Sequence, residues 1–347
     1  MKIDNFTISC DSPPFIIAEM SGNHNHSLER ALSIVEAAAE AGAHAIKLQT
    51  FTADTMTLDC REGDFCIRDE KNLWNGFSLY DLYKLAYTPW DWHMPIIKRA
   101  RELGLLCFST PFDETAVDFL ETLNVPAYKI ASFENIHLPL IRKVAETGKP
   151  VIISTGMATL SEIDEAVRTA RNAGCENLAL LKCTSSYPAT PENSNILTIP
   201  HMKKLFRCEV GLSDHTMGIG TAVAAVAHGA TIIEKHFTLR RSDGGVDSAF
   251  SLEPEELHSL IVETEKARLS LGEISYGPSD GDKGSLVYRR SLYTSKDIKK
   301  GDVLTSDNIC CIRPGAGLAP KYYEILQGKK VRRNLKRGTP LSWDLIG

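Results

Sequence analysis

Short apolar runs rich in β-branched residues alternate with helix-like segments along most of the chain. The strand-like runs occupy residues 15–20, 45–51, 105–110, 127–132, 150–156, 178–185, 208–215 and 231–238. Between most of them, apolar residues recur at the spacing of an amphipathic helix, as in 27–42 and 159–174, and the same spacing follows the last run in 253–272. Eight strand–helix units within roughly 250 residues predict an α/β fold, a closed parallel (β/α)₈ TIM barrel.

An open doubly wound sheet uses the same alternation, and the position of the polar residues separates the two folds. A barrel collects functional groups at the carboxyl ends of many strands, whereas an open sheet concentrates them at one switch point. Nearly every strand-like run here ends in such groups, namely Glu19, Lys47, Gln49, Thr110, Lys129, Ser132, Ser154, Lys182, Thr184, Ser213, His215, Glu234 and His236. The distribution favours the barrel.

A second domain is predicted after the barrel, which we assign to residues 1–272. Residues 273–287 are rich in Gly, Ser and Asp and are typical of a linker. Residues 288–347 contain short strand-like pieces separated by turn signals, which indicates a small, mostly-β domain. About 60 residues lie near the lower limit for independent folding, so we expect this domain to pack against a neighbour.

The formal net charge of −5 conceals an uneven distribution. Residues 288–347 carry 13 Lys and Arg against 5 Asp and Glu, a net +8, which leaves −13 on the preceding residues. Oppositely charged domains are expected to dock, within one chain or between chains. Nucleic-acid binding is the alternative, but the basic residues occur as dipeptides without the interleaved aromatic residues of a stacking surface.

The N-terminal sequence and the cysteines bear on the cellular compartment. The first twenty residues lack a basic region followed by a long apolar one, and the chain has no apolar stretch of the roughly 18 residues that a membrane span needs. The nine cysteines are scattered, with no C-x-x-C pair. We expect a cytoplasmic protein with reduced thiols and no membrane partner.

Two histidines at the ends of neighbouring strands are candidate metal ligands. Ser213 and His215 share one face of the seventh run, and Glu234 and His236 share one face of the eighth. Because adjacent strands lie about 4.8 Å apart, the two imidazoles can bind one divalent ion and leave positions open for water or substrate. The alternative is that each is a hydrogen-bonded structural histidine, but the flanking Asp214 and Glu234 favour the metal.

Lys47 and Lys129 end two other strands in otherwise apolar runs. A buried lysine is unfavourable unless an anion meets it. Together with the hydroxyls of Thr110, Ser132, Ser154 and Ser213, the two lysines predict a pocket for phosphate and carboxylate groups. The alternative is a set of structural ion pairs with Glu19, Glu134 or Glu234.

The motifs FIIAEMSGNHNHSLERAL, AIKLQTF, LCFSTPFDETAVDFL, YKIASFE, VIISTGMA, LKCTSSYP, GLSDHTMG and IIEKHFTL occur in this order. In this, the chain resembles the sialic acid synthase family, whose members condense phosphoenolpyruvate with an amino-sugar aldehyde. The C-terminal residues resemble the antifreeze-like SAF module that follows the barrel in that family. Within the family, residues 73–93, 246–257 and 313–323 look most like pseudaminic acid synthases.

The resemblance implies roles for matching residues. His215 and His236 match ligands of a divalent metal, Mn²⁺ or Mg²⁺, and Glu19 matches a residue that holds a metal-bound water. Phosphoenolpyruvate-binding residues are matched by Lys47, Thr110, Lys129, Ser132, Ser154 and Ser213, and residues on the sugar side by Gln49, Thr184, Tyr187 and Asp247. Arg313 matches an arginine that the SAF module delivers to the active site of the partner in a domain-swapped homodimer.

The expected reaction joins phosphoenolpyruvate, the sugar aldehyde and water, and releases phosphate by C–O cleavage. Glu134 is the candidate for stabilising the positive charge that develops at C2 of phosphoenolpyruvate. The predicted sugar is 2,4-diacetamido-2,4,6-trideoxy-L-altrose, with the N-acetylneuraminate and legionaminate precursors as alternatives. A plain aldolase and a carbohydrate-binding protein with a silent barrel are the remaining hypotheses.

Overall fold

The protein divides into two compact units, Met1–Gly272 and Glu273–Gly347. The computed structural model describes residues 1–70 and 72–347. Within these residues, every helix is too short or too polar to cross a bilayer. All nine cysteines are free thiols, and Cys107, Cys175 and Cys183 are buried.

The first unit is built on a closed parallel barrel, which confirms the predicted (β/α)₈ fold. A short antiparallel hairpin, β1 (Lys2–Ile3) and β2 (Phe6–Thr7), precedes it. The barrel strands are β3 (Phe15–Glu19), β4 (Ala45–Thr50), β5 (Leu106–Pro111), β6 (Tyr128–Ile130), β7 (Val151–Ser154), β8 (Leu178–Cys183), β9 (Glu209–Asp214) and β10 (Ile232–His236). They follow one another in chain order around the barrel, and β10 pairs with β3 to close it.

Helices surround the strands and bury their apolar faces against them. They are α1 (Leu28–Ala41), α2 (Ala53–Met56), α3 (Leu79–Ala86), α4 (His93–Glu102), α5 (Glu114–Thr122), α6 (Leu138–Glu146), α7 (Leu160–Asn172), α8 (Thr198–Phe206), α9 (Gly220–Ala227) and α10 (Pro254–Ser270). Local sequence sets several of their ends. The Ser27 side chain accepts a hydrogen bond from the Arg30 amide to begin α1, and Thr159 with Glu162 forms a capping box at α7.

The register of the strands decides which polar side chains share the barrel mouth. His236 is opposite Glu19, which is opposite Lys47 on the next strand, and Glu234 is opposite Ser213. Successive side chains on a strand point to opposite faces. Lys235 therefore points to the strand face opposite that of Glu234 and His236. Its buried ammonium lies 3.0 Å from the Asp214 carboxylate. Asp214 thus lies on the other face of its strand and does not flank the two histidines, contrary to the sequence interpretation.

The second unit has its own small core. Strands β11 (Ser291–Thr294) and β12 (Ile309–Ile312) form an antiparallel pair, and α11 (Tyr323–Leu326) follows them. The buried apolar residues of this unit are Leu292, Ile298, Leu304, Ile309, Leu326, Val331, Leu335, Leu341, Leu345 and Ile346. Short strand pairings and turns around a compact apolar cluster confirm the predicted mostly-β character.

Close packing of the barrel wall at Gly211 gives a testable prediction. A Cβ atom there would lie 2.2 Å from the carbonyl oxygen of Ile232 and 2.7 Å from its Cβ atom. We expect Gly211→Ala to lower the free energy of unfolding by about 1–3 kcal/mol, measured by urea unfolding, because the barrel must open to admit the methyl group. The matched control is Gly220→Ala in α9, where the new Cβ meets no described atom within 4 Å. Equal stability of the two variants would contradict this packing.

Candidate active site

The carboxyl ends of the barrel strands bring most of the predicted site residues into one connected set. Hydrogen bonds, ion pairs and ring contacts form two groups, and Ser21 joins them because it contacts both Glu19 and Asp247. The group around Glu234 contains Glu19, Lys47, Gln49, Thr110, Lys129, Ser154 and Ser213. The group around Cys183 contains Ser132, Tyr187, His215, His236 and Asp247. The set occupies the end of the barrel at which catalytic groups of this fold collect.

Two buried lysines and two buried glutamates lie at the centre of the set. The Lys47 ammonium lies 2.5 Å from Glu19 and 3.9 Å from Glu234, and the Lys129 ammonium lies 3.6 Å from Glu234. Burial opposes ionisation of the Glu234 carboxyl, but the two lysines outweigh it and lower the pKa of Glu234. The lysines therefore lie within ion-pair distance of Glu19 and Glu234, in the contacts that the sequence left as an alternative.

Hydroxyl groups surround these charges. Lys47 donates to Thr110 Oγ1 at 3.1 Å, and Lys129 donates to Ser154 Oγ at 2.7 Å. Ser213 donates to the Glu234 carboxylate at 3.1 Å. Each of these hydroxyls can turn to donate to a bound anion, because a hydroxyl is both a donor and an acceptor. The arrangement therefore has the donors for phosphate or carboxylate recognition.

The two histidines face one another beside this cluster. Their ring centroids are 5.3 Å apart. His215 Nδ1 lies 2.9 Å from the backbone carbonyl oxygen of Thr184. Because a carbonyl oxygen only accepts, Nδ1 must carry a proton, so Nε2 keeps the lone pair in the neutral ring. Burial lowers the pKa of His215, but Cys183, the Thr184 carbonyl and Glu234 outweigh burial and raise that pKa. Burial, together with the neighbouring cationic groups, holds the pKa of His236 well below its ordinary value, so its ring is neutral.

The residues fit a divalent ion with few protein ligands. Among the described residues, no cluster of three or more His, Cys, Asp and Glu side chains has metal-binding geometry. The imidazole pair nevertheless offers a free lone pair on His215 Nε2, and His236 Nδ1 is buried without a hydrogen-bond partner in the described chain. Neutral imidazole suits several divalent metals, and open coordination positions suit catalysis better than structure.

The sugar-side residues differ in their placement. Ser21 hydrogen-bonds to the Asp247 carboxylate, which lies 3.6 Å from His236 Nδ1. Gln49 donates to Glu19 at 3.1 Å, and the Tyr187 ring packs on His215 with centroids 4.6 Å apart. Thr184 differs, because its hydroxyl donates to the Asn193 carbonyl and only its backbone oxygen contacts the imidazole pair.

Glu134 and Arg313 lie apart from the connected set. Glu134 follows β6, and burial raises its carboxyl pKa to about 7, with one carboxylate oxygen buried and without a hydrogen-bond partner in the described residues. The charge of Lys129 opposes this rise. Arg313 is exposed, directly after β12 in the second unit. Its contact with a second chain stays a prediction.

Sequence reasoning missed three members of the set, namely Glu234, Cys183 and the linking Ser21. Glu234 contacts both lysines and Ser213, although it was considered only as a flanking acid or counter-ion. Its position two residues before His236 was the available signal, because the two side chains share a strand face. Cys183 was expected only to be a reduced thiol, yet its sulfur lies 3.2 Å from Ser132 Oγ and 4.0 Å from His215 Nδ1.

Comparisons with known proteins identify the family of the chain. A model described as the NeuB family matches residues 34–276, and an SAF domain model matches residues 289–347. The chain is 44% identical to the pseudaminic acid synthase of Campylobacter jejuni, over 98% of each chain. It is 43% identical to the pseudaminic acid synthase of Helicobacter pylori, over 96% of this chain and 98% of that one.

Among solved structures, the N-acetylneuraminic acid synthetase of Leptospira borgpetersenii is 34% identical and superposes with a TM-score of 0.72, covering 83% of this chain and 95% of that one. The matches confirm the predicted resemblance and the prediction that the chain is a synthase. The chain belongs to the NeuB family, with an SAF domain at its C-terminal end.

Proposed function

We propose that the protein condenses phosphoenolpyruvate with 2,4-diacetamido-2,4,6-trideoxy-L-altrose and water to give pseudaminic acid and phosphate. The observation that carries the proposal is the convergence of Lys47 and Lys129 on Glu234 beside the paired imidazoles. The pseudaminic acid synthases named above, 43–44% identical over nearly the whole chain, support the same substrates.

The lysine and hydroxyl cluster suits phosphoenolpyruvate, which carries a phosphate and a carboxylate. Lys47 and Lys129 are only 4% and 2% exposed, so an anion that reaches them meets ammonium groups with little competing water. Thr110, Ser132, Ser154 and Ser213 add neutral donors around the two charges. Charge-assisted hydrogen bonds to phosphate and carboxylate oxygens are the strong ones, and a binding site for both groups follows.

His215 and His236 would hold a divalent ion, Mn²⁺ or Mg²⁺, at the aldehyde side of the site. Such an ion supplies Lewis-acid polarisation of the aldehyde oxygen. The Thr184 carbonyl fixes the His215 tautomer that leaves Nε2 free for this role. Glu19 lies on β3, between His236 on β10 and Lys47 on β4. Ser21 N and Gln49 Nε2 both donate to its Oε1 at 3.0 and 3.1 Å.

The remaining residues account for the bond changes. C3 of phosphoenolpyruvate attacks the aldehyde carbon, and the Glu134 carboxylate stabilises the positive charge that develops at C2. Water adds at C2, and phosphate leaves as the C–O bond breaks, with Lys47 and Lys129 matching its charge throughout. Asp247, in contact with Ser21, is placed to accept a proton when the sugar ring opens.

We also propose that the protein acts as a domain-swapped homodimer, in which Arg313 contacts the N-acetyl group of the sugar bound by the partner subunit. The exposure of Arg313 and the charge of +8 on residues 288–347 against −13 on the rest support this assembly. A long guanidinium fork is suited to an amide oxygen because it presents several donors in a fixed plane.

Phosphate release tests the function. Wild-type protein with Mn²⁺ and phosphoenolpyruvate should release inorganic phosphate when the 2,4-diacetamido-2,4,6-trideoxy sugar is added, and the product should contain the carbon atoms of both substrates by mass spectrometry. Release only with N-acetylmannosamine or a legionaminate precursor would assign a sister activity. Condensation without phosphate release would identify an aldolase, and binding of finished polysaccharide without turnover would favour a silent barrel.

Metal retention tests the imidazole pair independently of turnover. We expect His236→Ala to lose both bound metal, measured by mass spectrometry of the dialysed protein, and phosphate release. His228→Ala is the matched control, because His228 is exposed at the end of α9. If the His236 variant retains as much metal as the control, the assignment of the two histidines is wrong.

The buried carboxyl of Glu134 predicts a pH-dependent stability. Because its folded pKa of about 7 lies above the ordinary value of 4.5, the protonated form stabilises the fold below about pH 4.5, and this contribution is lost as the pH rises through 7. Between about pH 5 and pH 8, the free energy of unfolding of wild type, measured in urea, should therefore fall by up to about 3 kcal/mol more than that of Glu134→Gln. Glu165→Gln, at an exposed position, should behave like wild type. Parallel pH profiles for wild type and Glu134→Gln would contradict the burial argument.

A further inference from the structure

An apolar cavity of about 450 Å³ adjoins the barrel mouth without including the charged cluster. One wall comes from the segment around α3, a second from residues between β10 and α10, and a third from the loop after β3. The apolar side chains that the argument uses are Leu73, Trp74, Phe77, Leu85, Val246 and Ala249. Its volume lies within the range of small-molecule sites.

Trp74 connects this cavity to the sugar side of the active site. Its indole nitrogen donates to the backbone oxygen of Val246 at 3.0 Å, directly before Asp247 in the chain. Its ring lies 5.8 Å from that of Tyr187, which packs on His215 at 4.6 Å. A sugar whose aldehyde lies near His215 can therefore extend past Tyr187 toward the indole.

The lining of the cavity favours methyl groups over hydroxyls. Leu73, Phe77 and Leu85 are 47%, 39% and 46% exposed, which leaves several large apolar surfaces side by side. The donor groups of the two polar side chains of the wall are engaged within the chain, since His26 Nε2 lies 2.8 Å from the Leu85 carbonyl oxygen and Asn25 Nδ2 donates to the Gly244 carbonyl at 3.1 Å. A sugar hydroxyl placed against the apolar side chains would lose hydrogen bonds to water and regain few of them.

We propose that this cavity binds a methyl-terminated substituent of the sugar, and thereby selects a deoxy, acetamido-substituted sugar over a hydroxylated hexosamine. The inference rests on the proposed function for its substrate class. It assigns Trp74, Phe77 and Leu85 as specificity-determining residues, in a segment that lies outside the strand ends where the bond changes occur.

Kinetics of wall variants test the proposal. Leu85→Ser should lower kcat/KM for the 2,4-diacetamido-2,4,6-trideoxy sugar by about tenfold or more, the cost of losing a methyl contact in an apolar pocket. It should lower kcat/KM for N-acetylmannosamine far less and leave the KM for phosphoenolpyruvate within about twofold. Trp74→Phe keeps an aromatic ring in the wall but removes the hydrogen bond to Val246. It separates the packing of the wall from the positioning of Asp247, because a loss of Asp247 positioning should lower kcat with both sugars.

Leu58→Ser is the matched control, because Leu58 is 68% exposed between β4 and α4 and does not line the cavity. Leu58→Ser should match wild type in kcat/KM for both sugars. Equal losses with both sugars in the Leu85 variant, or no loss with either, would overturn the proposal.

Saturation-transfer NMR separates this proposal from the function itself. The methyl protons of the diacetamido sugar should receive saturation from wild-type protein and much less from Leu85→Ser. Saturation of the methyls without phosphate release would overturn the proposed reaction and support the cavity. Phosphate release without methyl saturation would support the proposed reaction and overturn the cavity proposal. The absence of phosphate release and of methyl saturation would overturn the two proposals together.

Discussion

The barrel mouth holds Lys47, Lys129, Glu19 and Glu234 almost out of contact with water, each at most 5% exposed, and the electrostatics of this cluster constrain the rest of the site. An unpaired buried charge costs several kcal/mol, so the four groups must lie within a few ångströms of opposite charges. The strand register satisfies this requirement, because it sets Glu19 beside Lys47 and Glu234 beside Ser213. Backbone pairing around the barrel, which side-chain motion cannot disrupt, therefore fixes the positions of the charges.

Balanced charge also determines how the site can respond to an anion. The formal charges of two lysines and two glutamates cancel, and a phosphate or carboxylate bound as proposed would compete with Glu19 and Glu234 for the same ammonium groups. The surrounding hydroxyls reduce the cost of this exchange, since Thr110 and Ser154 now accept from the lysines and can instead donate to the ligand. The structural ion pairs and the proposed anion pocket, which the sequence presented as alternatives, therefore use the same two lysines and are compatible with one another.

Strand positions and the residues at strand ends were predictable, because the two-residue and 3.6-residue periods are local properties of the sequence. The runs at 45–51 and 231–238, for example, contain β4 and β10 with differences of two residues or fewer at each end. Contacts between side chains across the barrel were not predictable. The pairing of Asp214 with Lys235 on the other strand face, the central position of Glu234 and the outward turn of the Thr184 hydroxyl depend on register and loop conformation. Those properties are set by residues distant in the chain.

The cavity beside Trp74 was likewise not predictable from the sequence. Its walls come from three segments of the chain, and 172 residues separate Trp74 from Val246, so no periodic pattern indicates the cavity. This separation also has a functional logic. Charged groups on strands cannot vary without disturbing the balance of the buried cluster, whereas half-exposed apolar residues such as Leu85 and Phe77 can change with little effect on the barrel. A barrel of this kind can therefore keep the proposed chemistry at the strand ends while the proposed sugar preference changes in the surrounding segments.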